Sequence, residues 1–167
     1  MDADADPIPP GNDVTIPVIS RSHNLGHSPA GGPLSRLLTW NCAALNGATL
    51  LEVETKAHDT KADVICVTET ELPTYDSPEI QGYTMFLPKV SNSTKIRTVM
   101  YVRRSLYATQ VPTPEDVPLV AARVDDTVII GIYRQWCLIA KSGTRRGSAF
   151  ESEQMAIIET AIRTISA

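Results

Sequence analysis

The sequence predicts an α/β fold (α+β-like in its later part), with one β-sheet and packed helices. Three observations predict it. A strand–helix–strand pattern occupies residues 37–67, short β-branched runs separated by turn signals follow, and a second helical pattern closes the chain. A length of 167 residues suits one domain with a buried core.

Residues 1–33 are rich in Pro and Gly and show almost no apolar periodicity, so they are expected to form a disordered tail. His23 and His27 have helical metal-ligand spacing, but Gly26, Pro29 and Gly31-Gly32 oppose a helix there. The domain is expected over residues 34–167. Leu37-Leu38-Thr39-Trp40 reads as a strand ending on Asn41. Asn46-Gly47 marks a turn, and residues 48–61 contain no Pro or Gly. There Leu50, Val53 and Ala57 share one helical face. Val64-Ile65-Cys66-Val67 is an unbroken apolar run, read as a buried strand, and Glu69 follows it between two threonines. A crossover helix makes its two flanking strands parallel, so both end at the same edge of the sheet. Asn41 and Glu69 are therefore expected to lie side by side.

Further strands are expected at residues 83–87 and 97–102. Residues 119–124 and 127–133 are expected to form a hairpin joined by Asp125-Asp126. Residues 140–149 read as a basic loop. Ser148 to Glu151 matches a capping box, and Gln154, Ile158, Ala161, Ile162 and Ile165 then repeat at helical period.

Composition is that of an ordinary globular protein, with 43% hydrophobic and 20% charged residues. The apolar runs are too short to span a bilayer as a helix, and no membrane partner is expected. Met1 to Asp6 lacks the basic-then-apolar order of a signal peptide, which predicts an intracellular location. Cys42, Cys66 and Cys137 are an odd number at wide spacing, so buried reduced thiols are expected rather than disulfides or zinc ligands. The net charge is −4, of which residues 1–33 carry −3. The remainder is nearly neutral, so bulk charge neither supports nor excludes a DNA partner.

Three strand ends carry polar groups: Asn41, Glu69, and Tyr133 with Arg134. A carboxylate with water and substrate oxygens suits Mg2+, while the amide, phenol and guanidinium suit phosphoryl oxygens. Five segments then raise a resemblance. Thr39-Trp40-Asn41-Cys42, residues 62–70 (ADVICVTET), Gln81-Gly82-Tyr83, residues 99–103 (VMYVR) and residues 128–134 (VIIGIYR) occur in this order. Together they resemble the endonuclease/exonuclease/phosphatase superfamily, and above all the apurinic-endonuclease-like domain of non-long-terminal-repeat retrotransposons. The resemblance covers roughly residues 36–167.

The resemblance implies a role for each matching residue. Asn41 would contact the metal and the scissile phosphate, Glu69 would bind Mg2+ (or Mn2+), Tyr133 would stand near the phosphate, and Arg134 would follow it. It implies a DNA partner and a nuclear location. It also implies a four-layer αββα sandwich of which this chain carries about half. No Asp-x-Asn or Ser-Asp-His segment follows Arg134, and Glu71 stands where related domains often have Trp. The site is therefore expected to be incomplete, and the chain inactive alone. One inner sheet face is expected to be uncovered, needing a missing C-terminal half or self-association. Two alternatives remain open here. One is a non-catalytic nucleic-acid-binding or interaction module using Arg97, Arg103, Arg104, Arg145 and Arg146. The other is a phosphoesterase fragment acting on another phosphate ester.

Overall fold

A computed structural model of the chain describes residues 34–74, 76–91, 95–133 and 147–166, with the backbone alone for 147–154 and 166. The expected tail, Arg134, Cys137 and most of the basic loop with Arg145 and Arg146 lie outside the described residues.

β1 (Leu37–Asn41), α1 (Gly47–Thr60) and β2 (Val64–Leu72) form the expected crossover unit. β1 and β2 are parallel, with Leu37 opposite Val64 and Asn41 opposite Thr68. Asn46 caps α1. Its side chain accepts from the amides of Ala48 (3.0 Å) and Thr49 (3.1 Å), and the Thr49 hydroxyl accepts from the Asn46 amide at 2.8 Å. Val53 and Ala57 are buried, as their spacing requires. Lys61 ends the helix in the left-handed conformation at φ 52°.

The α/β class holds, but the strands form two sheets rather than the single sheet expected. The first sheet has the order β1-β2-β4-β3, with β3 at Tyr83–Phe86 and β4 at Ile96–Arg103. The second has the order β5-β6-β7, with strands Thr109–Val111, Leu119–Val124 and Thr127–Ile132. A short 3-10 turn at Arg104–Leu106, followed by left-handed Tyr107 (φ 50°), separates β4 from β5.

The physical reason for two sheets lies in β2 and β4, which are apolar on both faces. Ile65, Val67, Val99 and Tyr101 pack on the side of α1. Val64, Cys66, Met100 and Val102 turn the other way and pack against Val120, Ala122 and Val124 of the second sheet. The outer face of the second sheet, with Leu119 and Ile130, is covered by Ile158, Ala161, Ile162 and Ile165 of α2 (Gly147–Ser166). The layers therefore run α1, sheet, sheet, α2. The inner face expected to be uncovered is covered, because β6 and β7 pack onto it.

Asp63 ties three segments together at the N-terminal end of β2. Its Oδ2 accepts from the Ser35 amide (2.9 Å), the Ser35 hydroxyl (3.0 Å) and the Arg36 amide (3.0 Å). Arg103 stands 3.3 Å from Oδ1. Burial by itself would raise the Asp63 pKa, but the Ser35 and Arg36 donors and Arg103 outweigh it and hold the carboxyl below its ordinary range. A group with a lowered folded pKa stabilises the fold above its unfolded pKa, about 4, and loses that contribution as pH falls through the folded value. Asp63→Asn is expected to cost about 1–3 kcal/mol at neutral pH. Urea denaturation across pH 2–7 should show a shallower acid-side loss for the variant than for the parent chain.

Candidate functional site

The C-terminal ends of β1 and β2 form one edge of the first sheet. Beyond Asn41 the chain keeps following β2, as the Cys42 amide donates to the Thr68 carbonyl (3.1 Å) and the Leu45 amide to the Thr70 carbonyl (2.8 Å). The exposed Asn41 side chain makes a long contact, accepting from the Ala43 amide at 3.4 Å. The Cys42 thiol faces the carbonyls of Thr68 and Glu69 at 3.4 and 3.6 Å. Burial raises its pKa most, and the Glu69 carboxylate adds to the rise. Cys66, deeper in the same sheet, is pushed up to about 12 by burial. Both are free thiols, as expected.

The pairing of β2 with β4 breaks at this edge. Thr68 lies opposite Thr98, and the next pair is Leu72 with Ile96. Three residues of β2 (Glu69, Thr70 and Glu71) therefore stand against one residue of β4, Arg97. This is a bulge with two extra residues. Glu69 (φ 57°) and Glu71 (φ 52°) both take the left-handed conformation, as does Ala43 across the edge (φ 53°). Such positions are strained for non-glycine residues, and the surroundings must hold them. Thr70 does so. It is buried, and its hydroxyl donates to the Ile96 carbonyl at 2.6 Å. Glu71 forms ion pairs with Arg97 and, at 3.2 Å, with Lys95.

Tyr133 reaches the same edge from the second sheet, just past β7, where its amide donates to the Pro118 carbonyl at 2.9 Å. Gly131, two residues earlier, is the point of close approach between the sheets. A Cβ there would stand 3.2 Å from Val120 Cγ1, 3.3 Å from Cys66 Sγ and 3.5 Å from Met100 Cε. Burial raises the Tyr133 pKa, the negative charge of Glu69 adds to this, and Arg97 opposes it by charge and by a hydrogen bond. Glu69, Arg97 and Tyr133 are thus electrostatic neighbours. Thr98 is fully buried beside them, and its hydroxyl has no hydrogen-bond partner.

Among the described residues, Arg103 and Arg104 do not join this group. Arg103 and Arg104 end β4 at the opposite edge, about 20 Å from Arg97 at the strand rise of roughly 3.3 Å per residue. Arg103 donates to the carbonyls of Lys61 and, at 2.9 Å, Ala62, and Arg104 donates to the Tyr83 carbonyl at 3.1 Å. Of the arginines expected to contact nucleic acid, Arg97 therefore lies apart from Arg103 and Arg104, which stitch the far end of the sheet, and Arg145 and Arg146 lie outside the described residues. His58, on α1, sits by Glu54 and meets Tyr83 edge-on, also away from the site.

Sequence reading missed Glu71, Thr98 and Gly131, and took Arg97 for a surface cation. As a metal site the edge is sparse. Among the described residues no three His, Cys, Asp or Glu side chains cluster. One carboxylate, Glu69, and one amide oxygen, Asn41, fit a cation such as Mg2+ that takes its remaining ligands from water and substrate.

No protein-family model matches the chain, and no curated protein matches it. Solved structures do. A 3'-5' exonuclease from Neisseria meningitidis superposes with a TM-score of 0.55 at 20% identity, covering 77% of this chain and 51% of its own. The chain has part of that fold. A 3' phosphatase from Neisseria bound to a product DNA hairpin gives 0.56 at 18% identity, covering 77% and 51%. An AP endonuclease from Leishmania major gives 0.51 at 17% identity, covering 77% and 46%. The chain spans about half the length of these structures. The likeness extends over this chain's two-sheet α/β architecture, in keeping with the partial sandwich that the resemblance in sequence implies.

Two substitutions check the geometry between the sheets. Thr98→Val removes an unpartnered buried hydroxyl at nearly constant shape and is expected to raise stability by about 1 kcal/mol. Gly131→Val places methyl groups where Val120 and Cys66 already stand and is expected to lower it by about 1–3 kcal/mol. Thermal or urea denaturation reads both, and a loss for Thr98→Val would show that its hydroxyl is satisfied.

Proposed function

We propose that this chain is part of a Mg2+-dependent phosphodiesterase that nicks DNA, of the kind carried by non-long-terminal-repeat retrotransposons. The observation that supports the reading is that Asn41 stands in register with Thr68, next to Glu69, and that Tyr133 of the second sheet feels the Glu69 charge. The fold shared with an exonuclease, a phosphatase and an AP endonuclease supports it, as does the DNA hairpin bound by one of them. Other phosphate esters suit the same groups. DNA is preferred because of the retrotransposon character of the Thr68-Glu69-Thr70 and Tyr133-Arg134 segments. A nuclear location follows from that reading.

Glu69 and Asn41 would hold the cation, Mg2+ or Mn2+, which supplies charge neutralisation at the phosphodiester. Tyr133 keeps its proton, since burial and Glu69 both raise its pKa. It therefore acts as a hydrogen-bond donor to a phosphoryl oxygen and not as a base. Among the described residues no histidine stands at this edge to orient or deprotonate water, since His58 sits by Glu54, and Glu71 is held by Arg97 and Lys95. The sequence holds no Asp-x-Asn or Ser-Asp-His segment after Arg134, so another segment, or a second copy, would have to supply such a group, and residues 1–167 alone are expected to bind without cutting.

The test is incubation of the chain with supercoiled plasmid and Mg2+ or Mn2+. Little or no nicking is expected, with salt-sensitive DNA binding that weakens in Glu69→Ala when the cation is present. Robust nicking that Glu69→Ala abolishes would refute the incomplete site. Binding indifferent to both Glu69 and the cation would refute the metal reading.

A further inference from the structure

The bulge at residues 69–71 gives Arg97 a choice of two carboxylates. In an unbroken antiparallel ladder, the residue after Thr68 would stand directly opposite the residue before Thr98. Glu69 and Arg97 would then be cross-strand partners, and opposite charges at such positions attract. The two extra residues displace that pairing. Thr70 is anchored inward on the Ile96 carbonyl. Left-handed backbone at Glu69 and Glu71 turns the chain on either side of it. Arg97 then pairs with Glu71, and Lys95 reaches the same carboxylate at 3.2 Å. Glu69 is left with no ion pair among those formed by the described residues.

We infer that Glu71 is a positioning residue: by engaging Arg97 it keeps that guanidinium off Glu69 and leaves the Glu69 carboxylate open to a divalent cation. The inference rests on the reading of Glu69 as a cation ligand. It assigns Glu71 no contact with the cation. Its physical basis is competition, because an arginine paired with Glu69 would present donors where a cation needs an oxygen lone pair. Lys95 is mostly exposed and reinforces the hold on Glu71 from outside.

The experiment uses the chain of residues 1–167 and Mn2+, followed by the electron paramagnetic resonance signal of free Mn2+. Glu71→Gln is expected to weaken Mn2+ binding about tenfold, as loss of a supporting partner does at other metal sites. Arg97→Gln alone should bind at least as tightly as the parent. The double variant Glu71→Gln/Arg97→Gln should recover parental affinity, since the competitor is gone. A double variant as weak as Glu71→Gln would overturn the inference, because Glu71 would then act as a ligand or as bulk charge. Unchanged binding in Glu71→Gln would overturn it as well. Glu69→Gln is the control. If it leaves Mn2+ binding intact, the cation-site reading fails and this inference fails with it. If it abolishes binding while Glu71→Gln does nothing, the reading stands and only this inference falls. A second readout needs no metal. The Arg97 Nε–H resonance should respond to Glu69→Gln far more in the Glu71→Gln background than in the parent, and an equal response in both would contradict the assignment.

Discussion

The central pair of strands, β2 and β4, is apolar on both faces, and the rest of the molecule follows from that constraint. A sheet with two apolar faces needs a cover on each. α1 supplies one through Val53 and Ala57, and β6 and β7 supply the other through Val120, Ala122 and Val124. The covering hairpin then has an apolar outer face of its own, which takes α2. Four layers thus follow from two short runs, residues 64–67 and 99–102. The same packing sets the depth of the site. Gly131 lets the second sheet close on Cys66 and Met100, and that approach brings Tyr133 within the field of Glu69.

The two ends of β2 use their acids in opposite ways. Asp63 is buried and surrounded by donors from Ser35, Arg36 and Arg103. Its charge is satisfied within the protein, so it fastens the sheet and has little capacity for a ligand. Glu69 lies at the other end in a strained backbone position and is partly exposed. Its influence is felt by Cys42 and Tyr133, and it takes part in none of the ion pairs formed by the described residues. Strain persists where neighbouring structure over-determines the backbone. Here Thr70, tied to the Ile96 carbonyl between two left-handed glutamates, does the holding.

Much of this was legible in the sequence, for physical reasons that differ by element. β1, α1 and β2 were readable because burial imposes a period of two or 3.6 residues, and the crossover fixes which strand ends meet. Asn41 beside Thr68 and Glu69 is a consequence of topology alone. The division into two sheets was not read. Yet the unbroken apolar runs in β2 and β4 already required a second cover. β5 was missed because Thr109–Val111 is short and runs into Pro112, which reads as loop. The bulge left no sequence mark, since left-handed glutamates are set by tertiary packing and not by propensity. The strand read at residues 97–102 did already put Arg97 and Arg103 at its two ends, but it did not show which sheet edge each would meet. Arg97 was grouped with Arg103 and Arg104 by charge alone, although the strand holds them at opposite edges.

The charges at the site edge give the proposed chemistry an order of events. Lys95 and Arg97 are positive, Glu69 and Glu71 are negative, and the four cancel. Both cations are engaged by Glu71, and Arg97 also hydrogen-bonds Tyr133, so the phenol lies in the opposing fields of Arg97 and Glu69. A phosphodiester approaching that edge meets repulsion from Glu69, while Arg97 is already held by Glu71 and Tyr133. Only when Glu69 is neutralised by a divalent cation does the edge acquire the positive character that a phosphate needs. On this account the protein's own residues do not recruit the nucleic acid to the site. They keep one carboxylate open, one phenol protonated and one arginine occupied. The attraction for phosphate then depends on the cation that Glu69 accepts.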